Sequence, residues 1–112
     1  MVIDIYRQYF RAQCNYNGTE HRAALVYLQS DSEAGHIRYS ANITFFPFRD
    51  DTDYAVTYDA TDSEELYDGK GRRSKKRESA YMETFREHID TLAAKMGGTV
   101  FWDKPLRAAV LA

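Results

Sequence analysis

Eight carboxylates and no base fall between residues 50 and 68: Asp50, Asp51, Asp53, Asp59, Asp62, Glu64, Glu65 and Asp68. Six bases and no acid follow directly: Lys70, Arg72, Arg73, Lys75, Lys76 and Arg77. The rest of the 112-residue chain carries nine of each sign, so a net charge of −2 hides a −8 segment beside a +6 segment. Carboxylates spaced along a strand and loop can imitate the phosphate rail of DNA, or fill a Lys/Arg-rich groove that normally holds nucleic acid. Asp59, Asp62, Glu64 and Asp68 would present such a row. The same residues also read as a solubilising edge that guards a strand against aggregation.

The basic segment stands just before a helical pattern, with Ser74 as its N-cap. A helix N-terminus carries partial positive charge, so bases there have the wrong sign for helix stability and call for an anionic partner. That partner is the acidic segment itself, a phosphate, or a carboxylate surface on another protein. If the two segments neutralise each other as solvated loops, their exposed pairs contribute only about 0 to 1 kcal/mol each. If the anion is nucleic acid, the six bases neutralise several phosphates, with Tyr67 and Tyr81 as flanking stacking groups. Asp-Gly-Lys-Gly-Arg-Arg-Ser lacks the Gly-x-x-x-x-Gly-Lys-Ser/Thr spacing of a nucleotide cradle.

Other chemistry finds little support. His21, His36 and His88 are dispersed and show no metal-ligand spacing, and the single Cys14 belongs to no Cys-x-x-Cys pair. Cys14 and His21 flank the first hairpin, which is equally true of any two residues so placed. Asp50, Asp51 and Asp53 lack the Asp-x-Asp-x-Asp-Gly register and the closing Glu of a calcium loop. Nucleophile-elbow, zinc-protease and paired-carboxylate signatures do not occur. The expectation is a non-enzymatic protein without metal or cofactor.

These residues need a scaffold. His36 to Phe46 alternates Ile37, Tyr39, Ala41, Ile43 and Phe45 with polar residues, the period of a half-buried strand. Tyr54 to Ala60 alternates likewise, with Pro47 and the Asp50 to Asp53 cluster as the turn between the two. His21 to Gln29 is a nearly continuous apolar run and reads as a central strand. Ile5 to Tyr16 fits either helical or strand spacing. Its β-branched and aromatic content and the Asn17-Gly18 hairpin signal favour a strand. The simplest arrangement of these four strands is a meander. Tyr81, Met82, Phe85, Ile89, Leu92, Ala93 and Met96 follow helical spacing, and Gly97-Gly98 stops the helix. A helix of about 20 residues spans roughly 30 Å and must bury its stripe on one face of the sheet. Thr99 to Trp102 is a fifth strand ended by Pro105, and the apolar tail from Leu106 to Ala112 would dock as a short helix or mediate self-association.

One α+β domain over 1–112 results: a four- to five-stranded antiparallel sheet in the order β-β-β-β-α-β, with one long amphipathic helix on one face. Hydrophobic residues make up 44% and aromatic residues 14%, enough to offset the ordering entropy of one core, while the length is too short for two. One cysteine excludes an internal disulfide, and Asp4 and Arg7 interrupt the first ten residues where a signal peptide or membrane span would be apolar. A soluble, cytoplasmic protein is expected.

In general character, the Asp50 to Asp68 run on a Tyr-rich β-α-β scaffold resembles the small single-domain inhibitors carried by phages and mobile elements, including anti-CRISPR proteins. The basic run from Lys70 to Arg77 departs from a purely acidic decoy. The resemblance implies stoichiometric inhibition, in the host cytoplasm, of a bacterial defence complex such as a CRISPR effector, with the acidic surface blocking a basic nucleic-acid-handling groove. The second expectation is a nucleic-acid-binding module that uses Lys70 to Arg77.

Overall fold

β-Branched and aromatic residues recur throughout the first half of the chain, and they build long strands. In the computed structural model, which describes residues 1–16, 19–47 and 60–106, β1 (Val2–Tyr16), β2 (Thr19–Glu33) and β3 (His36–Pro47) run antiparallel in sequence. Strand β4 (Ala60–Lys70) adds to β3, and after the helix α1 (Lys75–Lys95) the last strand β5 (Gly98–Leu106) adds to β1. The sheet order is β4-β3-β2-β1-β5, which makes the expected meander and places the apolar run of β2 at its centre.

Alternation decides which face carries the core. Phe10, Ala12 and Cys14 of β1, Ala24, Val26 and Leu28 of β2, and Ala41, Ile43 and Phe45 of β3 meet Phe85, Ile89, Leu92 and Ala93 of α1. Burying each of the larger side chains stabilises by about 1.5 to 3 kcal/mol. Tyr81, expected in the stripe, is half-buried, and Met82 lies exposed on the outer side of the helix. Cys14 is 1% exposed and its thiol donates to the Met96 carbonyl (3.2 Å), so it belongs to this core.

The two periodicities of the first segment have one cause. A register shift between Asp4 and Tyr6 places Ile5 and Tyr6 against the core in succession, and further along Phe10 faces the helix while Tyr9 faces away. A β-bulge inserts one residue and so mimics helical spacing in the sequence.

Two strands depart from expectation. The anticipated strand from Tyr54 lies outside the described residues, as do Asp50, Asp51, Asp53 and Asp59; only Ala60 of it is described, and there it opens β4. β4 then continues through the acidic residues to Lys70, so a strand directly precedes the basic segment. Pro105 does not end β5 but pairs with Phe10 just beyond a register shift. β5 is an edge strand, where a missing N–H is tolerated. Apart from Leu106, the tail lies outside the described residues.

Ala34 and Gly35 form the two-residue loop between β2 and β3, with φ of 52° and 78°. A loop with both residues in the left-handed region matches the strand twist but suits Asn-Gly better than Ala-Gly. Ala34→Asn should therefore stabilise the fold by about 1 kcal/mol, read as a higher urea midpoint at unchanged slope; an unchanged or lower midpoint would remove this account of the turn.

Candidate functional site

The acidic and basic segments meet at the junction of β4 with α1, and the connector between them is tightly fixed. Gly71 N–H donates to the Gly35 carbonyl (2.8 Å), and the Ser74 N–H donates to the Tyr39 hydroxyl (3.0 Å). Ser74 caps the helix as expected: its side chain accepts from the Arg77 N–H (3.3 Å). Beneath the cap lies a polar group the sequence did not reveal. Glu78 is only 8% exposed, and it accepts two bonds from Arg73 (2.8 and 2.9 Å) and one from the buried Tyr39 hydroxyl (2.7 Å). Arg73 holds the Glu78 carboxyl below its ordinary pKa, against the opposing effect of burial, and Tyr39 adds to the lowering. Burial in turn raises the Tyr39 phenol.

Two of the six bases are therefore consumed by the fold. Arg73 is clamped on Glu78, and the Arg77 guanidinium lies 3.7 Å from the centre of the Tyr67 ring. Lys70, Arg72, Lys75 and Lys76 are exposed, and among the described residues none of them has an ion-pair partner. The expected stacking groups are also engaged: Tyr67 faces Arg77, and Tyr81 packs against Tyr39 with centroids 5.2 Å apart.

The four described carboxylates of β4 do not form one row. Register pairs Asp62 with Ile43 and Glu64 with Ala41 on the helix side of the sheet, and Glu65 with Ser40 and Asp68 with Arg38 on the other, across a bulge at Tyr39/Ser40. Their partners lie on neighbouring elements. Glu64 pairs with His88 of α1 (2.8 Å), Glu65 with Arg38 of β3 (3.7 Å) and Asp68 with His36 of β3, while Asp62 accepts from the Ser63 N–H (2.8 Å). His36, acting with Glu65 and Arg38, holds the Asp68 carboxyl below its ordinary range. Among the described residues no carboxylate of β4 pairs with a base of the following segment. The four described carboxylates of β4 therefore do not neutralise the basic segment by direct pairing.

A second feature lies on the sheet face away from the helix. Tyr9, Leu25, Tyr27 and Phe46 line a shallow depression of about 440 Å³ together with Asp4, Arg7, Gln29, Thr44 and Thr61. Tyr9 and Phe46 are 6.2 Å apart, and Arg7, paired with Asp4 (3.4 Å), lies 5.9 Å from the Tyr9 ring centre. Beyond it the face becomes polar: Gln29, Asp31, Arg38, Ser40, Asn42, Ser63, Glu65 and Asp68 surround a second depression. The signal for this face was the unbroken run Ala23 to Leu28. In an antiparallel sheet covered on one side, a central strand should alternate; an apolar residue at every position means that both faces have contacts to make.

Among the described residues no cluster of three or more metal-ligating side chains occurs, and no helix is long and apolar enough to cross a membrane. Comparison with protein families, curated proteins and solved structures finds no match.

Proposed function

We propose that the chain is a non-enzymatic binding protein that docks the helix-free face of its sheet on a basic protein surface of the kind that handles nucleic acid, and acts by occupying it. The observation that carries this reading is β2. Its Ala24, Val26 and Leu28 are spent on the helix side, yet the other side is apolar too: buried Ala23 and Leu25 form a floor beside the half-buried rings of Tyr9, Tyr27 and Phe46, which are what this face offers a partner. A grouped patch of this kind with a polar rim is the anatomy of an interaction surface. The rim supplies the choice of partner: Asp31, Glu65 and Asp68 share this face, so a surface rich in Lys and Arg is complementary to it. This divides the acidic segment by face. Glu65 and Asp68 would contact the partner, while Asp62 and Glu64 would not.

The test is affinity capture of basic proteins from nuclease-treated bacterial lysate, followed by titration of the purified captured protein. Replacing both Tyr27 and Phe46 with serine should weaken binding at least about 100-fold, because buried aromatic anchors contribute about 2 kcal/mol each. Reversing Glu65 and Asp68 to lysine should slow association, whereas Asp62→Asn with Glu64→Gln should leave it alone. Equal binding by wild type and the serine double variant would overturn the proposal, as would capture of acidic partners only.

A further inference from the structure

The connector between β4 and α1 is tied down at three points, and the residues it ties down carry charge. Gly71 is fastened to the β2–β3 hairpin, Arg73 to Glu78, and the Ser74 N–H to Tyr39. Between and beside these ties stand Lys70, Arg72, Lys75 and Lys76, exposed and without ion-pair partners among the described residues. The helix end is already served by Ser74, so the opportunity lies in the side-chain cations and not in open helical N–H groups. Lys75 and Lys76 in the first turn oppose the helix dipole. A fold that gathers four exposed like charges along one tied connector and the first turn of its helix, at a cost to that helix, is preorganised for a polyanion.

We infer that Lys70, Arg72, Lys75 and Lys76 form a contact surface for the phosphodiester backbone of nucleic acid, independent of the sheet-face reading. The contact is blind to base sequence. The two nearby rings that would stack on bases are covered, Tyr67 by Arg77 and Tyr81 by Tyr39, which leaves only point charges facing outward. A strand with a charge at every nucleotide meets such a surface in any register, whereas base readout would need side chains held rigidly against base edges or free aromatic faces. The last carboxylate of β4, Asp68, is hydrogen-bonded to His36 of β3 and, among the described residues, not to any base of this group.

Fluorescence anisotropy with a labelled single-stranded DNA of about 20 nucleotides tests this. Four phosphate contacts predict a slope of log K against log salt of about −3 for single strands, so affinity should fall about 50-fold between roughly 50 and 200 mM salt. Oligo-dT, oligo-dA and mixed sequence should bind alike. Changing Lys70, Arg72, Lys75 and Lys76 together to Glu should reduce affinity at least tenfold. Glu in the first helical turn has the sign the dipole favours, so circular dichroism should show an intact fold in that variant. Lys95→Glu with Lys104→Glu, bases elsewhere on the surface, should bind as wild type. No binding by wild type at low salt, undiminished binding by the quadruple variant, or a tenfold preference among sequences would each overturn the inference. Polyglutamate that binds at least tenfold more tightly than DNA at equal charge and equal salt would assign the surface to acidic proteins instead, and would also overturn it.

Discussion

Replacing Phe85 with alanine should cost about 4 kcal/mol, the middle of the range for deleting a buried aromatic side chain. The residue is 2% exposed and stands where three elements meet, edge-on to Tyr6 of β1 (5.5 Å) and to Trp102 of β5 (6.3 Å). The helix's apolar contact with the sheet is centred on Phe85, Ile89, Leu92 and Ala93, and among the described residues no second layer of structure lies behind them to fill a void at Phe85. Typical domains of this size are stable by only about 5 to 15 kcal/mol, so the loss is a large share of the total. Urea unfolding followed by circular dichroism measures it. Met82→Ala, one turn from Phe85 but on the exposed side, should change stability by less than about 0.5 kcal/mol. Equal losses at the two positions would mean that the helix does not pack as described. Phe85→Leu, which retains most of the volume, should recover more than half of the loss.

What could be read in advance was whatever burial writes into spacing. β3 alternates without interruption from Ile37 to Phe45 because one face is core and the other is not. The helical stripe from Phe85 to Leu92 was legible for the same reason. β4 was not. Thr-Asp-Ser-Glu-Glu-Leu-Tyr-Asp-Gly has few residues that favour strands, and only its first residue, Ala60, is fully buried. An edge strand can be made by pairing with its neighbour, with little support from its own side chains, and a sequence pattern then has nothing to report. The charged segments show the same limit. Their existence was plain from counting, but where each charge is spent depended on register. Alternation sets Glu65 opposite Asp62 and Glu64, and the bulge at Tyr39/Ser40 moves Asp68 from their face to that of Glu65. The roles of His36 and His88 as partners of those carboxylates required contacts over 32 and 24 residues, for which no spacing rule exists.

Glu78→Ala should be the most costly change of a charged residue on the helix, at about 2 to 3 kcal/mol, because it leaves the buried Tyr39 hydroxyl without its acceptor and removes the carboxylate that fastens the connector. Nothing in the sequence marked this residue: Tyr39 is 39 positions away on a strand, and Glu78 reads as one more surface acid in a charged run. Its dependence on pH separates a structural carboxylate from a merely solvated one. Arg73 lowers the pKa of Glu78 in the folded protein, so the unfolded chain binds the proton more readily than the folded one. The stabilisation is then complete above the unfolded value of about 4.3 and disappears as pH falls through the lower folded value. Wild type and Glu78→Ala should differ most at neutral pH and converge in acid, with the gap closing below about pH 4. Glu78→Gln keeps an acceptor for Tyr39 but loses the charge, so it should lie between the two at pH 7 and show a weaker dependence on acid. A gap that stays constant from pH 7 to strong acid would show that the group acts by shape alone. In that case Arg73 would be free of its clamp and would count as a fifth exposed cation at the junction, and the salt slope for DNA would steepen by about 0.7.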